Sequence, residues 1–202
     1  MEVLDAAEAG SRHGGPSFSL ANRLRRAVWA VVWTLLAAWT PPPLHAWRVL
    51  LLRIYGARIG QNCRVYRNTW VWDPANLTLG NNVLIGPGAN IYNQGHIAIG
   101  ANSVVSQRSH LCASSHRISD RHFQLVLKPI TIGANCWIAA EAFVGPGVTM
   151  HEGAVLGARG VLFDDAEAWT VYRGNPAAAI SNRRYDSSDG WAWRPAGGLS
   201  GR

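Results

Sequence analysis

The sequence predicts a parallel β-solenoid with triangular coils, preceded by helices. Three observations carry that expectation. Aliphatic residues recur every six positions between residues 59 and 162. Glycine or another small residue often follows them. The surplus residues between repeats all fall at one point of the cycle.

The repeat falls into five sets of three: 59, 65, 71; 79, 85, 91; 99, 105, 111; 132, 138, 144; and 150, 156, 162. Fourteen of these fifteen positions are aliphatic, and Met150 is the other. Pairs such as Ile59-Gly60, Leu79-Gly80, Ile99-Gly100 and Ile132-Gly133 mark where the backbone turns. Set starts are separated by 20, 20, 33 and 18 residues, so the excess over three hexapeptides is 2, 2, 15 and 0. Every excess follows the third hexapeptide of its set. A triangular coil that tolerates insertions at one corner has this property, with each aliphatic residue stacked on its equivalent one coil away. A helix needs a period of 3.6 and a half-buried strand a period of 2, and neither fits.

The flanks read differently. Residues 1–20 and 186–202 lack periodicity and are expected to be disordered tails around a helical segment, 21–56, and the coil domain, 57–185. Asn22 is expected to cap a helix running to Trp39, which Pro41, Pro42 and Pro43 terminate, and a second helix is expected over 44–55. The apolar run from Ala27 to Trp39 falls short of the roughly 20 residues a membrane span needs. Its Trp and Arg content suits either packing on the coil domain or peripheral contact with a membrane surface through residues 22–55.

Of the 202 residues, 48% are hydrophobic and 15% charged, which suits a globular core and excludes a disordered chain. The net charge of +7 asks for an anionic partner. No helix-turn-helix or RNA-binding signature accompanies it, so nucleic acid is not expected. Three dispersed cysteines, Cys63, Cys112 and Cys136, with no CxxC, suit a reducing cytoplasmic setting.

Five segments carry a family resemblance: PLHAWRVLLLRIYGARIG at 43–60, IGPGANIYN at 85–93, LCASSH at 111–116, KPITIGANCWIAAEAFVGPGVT at 128–149 and YRGNPAAAI at 172–180. Together they resemble the hexapeptide-repeat acyltransferases, and within them the colanic-acid-type exopolysaccharide O-acetyltransferases, over residues 22–185. The resemblance implies a left-handed β-helix, a homotrimer and acetyl-CoA as donor, with no metal. It also implies a sugar acceptor, and the Trp/Arg segment at 22–55 favours a lipid-linked oligosaccharide at the inner face of the membrane.

Acetyl transfer to a hydroxyl needs a base for the proton and a groove for both substrates. Among seven histidines, His116 lies in the 15-residue excess, and an out-of-period loop on a solenoid is a place for function. His116 also matches the catalytic histidine of galactoside and maltose acetyltransferases. Asp73, Asn93 and Ala113 each lie two residues beyond the third aliphatic of their set, so they stack at the corner that launches this loop. Asp73 and Asn93 are therefore candidates for binding the acceptor, although Asn and Asp also simply favour turns. The resemblance places coenzyme A along Trp137, Ala139, Ala140, Gly157, Ala158 and Gly160, with Arg173, Arg183 and Arg184 near its phosphates. Related enzymes carry Thr-Lys where this chain has Leu162-Phe163, so no cation is offered there.

Two rival readings follow from the same fold. His110, His116 and His122 recur every six residues and suggest a three-histidine zinc site, but that spacing sends them to three different faces of a regular coil. A non-catalytic trimeric sugar-binding scaffold would need no base. Within acetyltransferases, serine or a small antibiotic are the other acceptors.

Overall fold

The computed structural model describes residues 17–184. The expected tails lie outside them, apart from residues 17–20 at the entry to the first helix. That helix, α1 (Leu20–Leu36), begins two residues before the expected cap. The cap is Ser19, whose hydroxyl accepts from the Asn22 amide at 3.2 Å. The expected cap, Asn22, instead lies in the first turn, since a short polar side chain at either position satisfies the cap pattern, and the helix ends three residues before the expected Trp39. The second helix, α2 (His45–Ile54), follows the proline turn as expected. No helix among the described residues is long and apolar enough to cross a membrane.

The coils follow in order. The first holds β1 (Arg58–Ile59), β2 (Arg64–Val65) and β3 (Trp70–Val71). The second holds β4 (Leu77–Leu79), β5 (Leu84–Ile85) and β6 (Asn90–Tyr92). The third holds β7 (Ile97–Ile99), β8 (Val104–Val105) and β9 (His110–Cys112). The chain then leaves the coil as an antiparallel hairpin, β10 (Ser114–His116) and β11 (Leu125–Leu127). The fourth coil holds β12 (Ile130–Ile132), β13 (Trp137–Ile138) and β14 (Phe143–Val144). The fifth holds β15 (Thr149–Met150), β16 (Val155–Leu156) and β17 (Val161–Leu162). A partial sixth turn closes the end: Ala166 bridges to Met150, then β18 (Thr170–Gly174) pairs with β16 and folds back on β19 (Ala177–Asn182).

Three parallel faces result. The first is β1-β4-β7-β12-β15, the second runs from β2 to β18 and β19, and the third is β3-β6-β9-β14-β17. The register is the one the six-residue spacing implied. Ile59, Leu79, Ile99, Ile132 and Met150 stack on the first face. Val65, Ile85, Val105, Ile138 and Leu156 stack on the second. Val71, Ile91, Leu111, Val144 and Leu162 stack on the third. All but Ile59 are buried, and each fully buried aliphatic stabilises the fold by about 1.5–3 kcal/mol. Five complete coils match the expected number. The sixth turn was missed because Ala166 and Tyr172 lie sixteen residues beyond Met150 and Leu156, two short of three hexapeptides.

Both helices serve the first coil. Trp29 of α1 is buried and donates its Nε1–H to the Val71 carbonyl at 2.9 Å. In α2, Arg48 is fully buried. It donates to the carbonyls of Val65 (2.6 Å), Pro41 (3.0 Å) and Pro42 (2.6 Å) and to Thr40 Oγ1 (2.7 Å). One guanidinium thus ties the proline turn and α2 to β2. The remaining apolar surface faces outward: of seventeen exposed large apolar side chains among the described residues, eleven lie in residues 20–54.

Candidate active site

The hairpin leaves the coil at the corner between the third and first faces, where the sequence placed its surplus. His116 ends β10 opposite Leu125 and is exposed. Its Nδ1 lies 2.8 Å from the Phe123 carbonyl oxygen. A carbonyl only accepts, so Nδ1 carries a hydrogen and, in the neutral imidazole, Nε2 holds the lone pair. The Phe123 ring stacks on the imidazole at 4.3 Å between centroids and 9° between planes, fixing its orientation. Phe123 adopts φ 55° at the hairpin end, which brings both its carbonyl and its ring to the same histidine.

A cleft of about 270 Å³ opens beside His116. Trp72 and Tyr92 form its aromatic wall, 5.1 Å apart and nearly perpendicular. Arg23 and Arg26 of α1 form its rim, and the Arg26 guanidinium sits 4.1 Å above the Trp72 ring. Gln94 completes it. That side chain is 6% exposed, and its Oε1 has no hydrogen-bond partner among the described residues. No carboxylate lines the cleft.

Asp73 and Asn93 do stack at this corner, but both are buried in the wall. Asn93 is fully buried and exchanges two hydrogen bonds with the Asp73 backbone: Oδ1 accepts from its N–H at 3.1 Å and Nδ2 donates to its carbonyl at 2.6 Å. The Asp73 carboxylate caps the turn at Ala75 and pairs with Arg25 of α1. These bonds lock coil one to coil two and to α1. The side chains that line the cleft are the neighbours of Asn93, Tyr92 and Gln94. Outward residues carry no periodic signal, so the six-residue pattern found the corner but not the lining.

The residues expected to meet coenzyme A gather elsewhere. Ala139-Ala140 and Gly157-Ala158 turn the corner between the second and third faces in successive coils, where the Ala139 amide donates to the Leu156 carbonyl at 2.9 Å. Gly160 closes the same turn by donating to the Gly157 carbonyl at 2.9 Å. A Cβ on Gly157 would lie 3.7 Å from the Arg173 Cβ, so Arg173 continues this edge. Trp137 flanks it, half exposed, with Nε1 donating to Ser106 Oγ at 2.9 Å. Arg183 is not part of the row. It donates to the carbonyls of Asn135 (2.5 Å) and Gly153 (3.1 Å) at another corner and knits coils four and five together. Arg184 is exposed beside it in sequence. Phe163 is exposed and packs on Phe143, while Leu162 points into the core, so the site matching Thr-Lys does lack a cation.

Two cations at the small-residue edge escaped the sequence reading. Arg108 and Arg159 occupy equivalent turn positions in coils three and five and both pair with Glu141 of coil four. The hydrogen bond and charge of Arg159, followed by those of Arg108, hold the Glu141 carboxyl below its ordinary range. Their signal was positional: each lies three residues beyond an inward aliphatic of the second face.

The two buried thiols, Cys63 and Cys136, are poor nucleophiles. Burial pushes Cys63 up and Cys136 to about 11. His110, His116 and His122 do not converge, and no group of three His, Cys, Asp or Glu among the described residues could hold a metal.

No family model matches the chain. It is 43% identical over 162 residues to the protein named "Putative colanic acid biosynthesis acetyltransferase WcaF" of Escherichia coli K12, covering 80% of this chain and 89% of that one. A maltose O-acetyltransferase from Clostridium difficile 630 superposes with a TM-score of 0.74 at 22% identity, covering 83% of this chain and 90% of that one. A hexapeptide-repeat acetyltransferase from Vibrio cholerae, solved with acetyl coenzyme A, gives a TM-score of 0.76 at 20% identity and covers 84% and 93%. Those two likenesses are of fold, the left-handed parallel β-helix. With the coil, its hairpin and this degree of identity in hand, the chain belongs to the hexapeptide-repeat acyltransferase family.

Proposed function

We propose that the protein is an acetyl-CoA-dependent O-acetyltransferase of exopolysaccharide assembly, acting on a sugar hydroxyl with His116 as general base. The Nδ1–H to Phe123 carbonyl contact carries this reading, because it leaves Nε2 as the basic nitrogen at an open cleft. In the reaction, Nε2 takes the proton of the acceptor hydroxyl while that oxygen attacks the thioester carbonyl. The C–O bond forms, the C–S bond breaks, and the imidazolium returns its proton to the departing thiolate. The relative of Escherichia coli whose name cites colanic acid supports the polysaccharide setting, and the neighbour solved with acetyl coenzyme A supports the donor.

The edge at Ala139, Ala140, Gly157 and Ala158 fits a pantetheine arm, since small side chains let an extended ligand approach the backbone. Arg108, Arg159 and Arg173 supply the phosphate contacts there in this reading, in place of Arg183. Within one chain the third face separates this edge from the His116 corner. A homotrimer that sets the hairpin of one copy against the small-residue edge of the next joins the two halves.

In the same reading, α1 and α2 hold the protein at the inner, anionic face of a membrane. Residues 17–72 contain eight arginines and no Asp or Glu, and α1 exposes Leu20, Leu24, Val28, Val31 and Leu35.

The test is coenzyme A release from acetyl-CoA in the presence of sugar acceptors. His116→Ala is expected to lower kcat by about 10²–10⁴ and to leave the melting midpoint unchanged. Undiminished transfer by that variant removes the base assignment.

A further inference from the structure

The cleft beside His116 has a chemistry that neither the base nor the donor edge requires. Its floor is aromatic, its rim is cationic, and one amide oxygen within it is buried without a partner. Trp72 and Tyr92, their planes inclined at 66°, form an apolar corner against which a pyranose ring can pack. A volume of about 270 Å³ suits one sugar unit and not an oligosaccharide. Oε1 of Gln94 accepts only, so a ligand that satisfies it must bring an O–H or N–H donor.

The rim decides the charge. Arg26 uses Nε on Asn22 Oδ1 at 2.8 Å, and its terminal nitrogens make no hydrogen bond among the described residues. Arg23 is exposed one turn earlier on the same helix. The nearby carboxylate, Asp73, is buried in the wall and paired with Arg25. Two guanidinium groups at the mouth of a cleft without carboxylates select an anion, and a tetrahedral phosphate matches their forked donors.

We propose that the acceptor is a glycosyl phosphate: the sugar packs in the corner between Trp72 and Tyr92 with a hydroxyl donated to Gln94, and Arg23 and Arg26 bind the phosphate ester. This deepens the acetyltransferase reading and rests on it for the identity of the cleft as the acceptor site. The phosphate arises either from a nucleotide diphosphate sugar or from a lipid-linked one.

The experiment titrates the full-length His116→Ala chain by calorimetry. The ligands are the 1-phosphates of glucose, galactose, mannose and fucose and the methyl glycosides of the same sugars. At least one 1-phosphate is expected to bind about tenfold or more tightly than its methyl glycoside. R23Q/R26Q should bring that ratio to within about twofold, and R23K/R26K should retain most of it. Gln94→Leu should weaken both forms about tenfold and leave their ratio intact. A UDP-hexose and a farnesyl diphosphate-linked hexose form two further arms; binding of either supports the proposal and names the source.

Equal affinity for phosphate and methyl forms, no binding of any ligand, or a ratio that survives R23Q/R26Q overturns it. Binding is read without the base, so the two readings fail separately. Wild-type acetylation of neutral glycosides without phosphate preference sinks this proposal alone. Selective phosphate binding without any wild-type transfer sinks the acetyltransferase reading alone.

Discussion

Gly100→Ala is the sharpest test of how the coil is closed. Gly100 turns the corner between the first and second faces directly beneath coil four. A Cβ there would sit 2.5 Å from both the Ala134 nitrogen and the Gly133 carbonyl carbon. Both are backbone atoms, so no side chain can swing aside. Restoring ordinary contact at 3.4 Å requires the coils to part by about 0.9 Å locally. That stretches the Gly100 N–H to Ile132 carbonyl bond from 2.7 Å and the neighbouring Asn135 N–H to Ala101 carbonyl bond from 2.8 Å beyond useful length. Two ladder bonds lost in a closed corner cost about 4 kcal/mol together. For a chain of this size the melting midpoint should fall by roughly 8–16 °C. Gly145→Ala is the control. Its Cβ would meet the exposed Phe163 ring, which can rotate away, and the Leu162 carbonyl oxygen at 3.0 Å, which needs a shift of only about 0.4 Å, so the loss should stay under about 2 kcal/mol. The assay is thermal melting followed by circular dichroism. If Gly100→Ala melts within about 3 °C of wild type, or no lower than Gly145→Ala, the account of the corner is wrong.

Three further expectations follow from other features. Arg48→Met leaves the Pro41 and Pro42 carbonyls without their donor and the Val65 carbonyl with His45 Nδ1 alone, at a cost on the order of 3 kcal/mol, and hydrogen exchange should quicken across 40–54 before it does in the coil. Burial holds the His110 imidazole below its ordinary 6.5, so the unfolded chain binds more protons below that pH and stability is lost as pH falls through that range. His96 is lowered in the same direction, by burial and then by Arg58. His110→Phe, between Tyr92 and Phe143, should flatten the decline in melting midpoint between pH 8 and 5. For the membrane reading, wild type should sediment with phosphatidylserine vesicles at low salt, and Leu24→Glu/Val31→Glu should stay in the supernatant with an unchanged melting curve; equal sedimentation of the two would refute it.

The coil was legible because its core imposes one inward residue per side, and that constraint fixed all three stacks, from Ile59 to Leu162, to the residue. The surplus arithmetic also located the hairpin, because only one corner leaves the coil. Other features left weaker traces. Ser19 and Asn22 both satisfy a capping pattern, and only the observed hydrogen bond separates them. Asn93 matched a polar position near a loop, yet a buried amide that ties two turns together reads the same way in sequence. Arg183 looked like a phosphate ligand because it is basic and lies beyond the coil, but it serves carbonyls of coils four and five. Tyr92, Trp72 and Gln94 gave no signal, since the repeat leaves outward positions unconstrained and α1 reaches the cleft from far away in sequence.

The corner that absorbs 2, 2, 15 and 0 extra residues has a consequence for how such a protein can diverge. At the first-to-second corner, added atoms collide with backbone, and at the second-to-third corner the turns match in length from coil to coil. Only the third-to-first corner admits insertions of any length while leaving the three ladders in register. The edge assigned to the thioester is therefore held constant by the geometry of the coil, and the side that meets the acceptor is open to elaboration. New acceptors can be reached by lengthening one turn, with no need to refold the part that handles the donor.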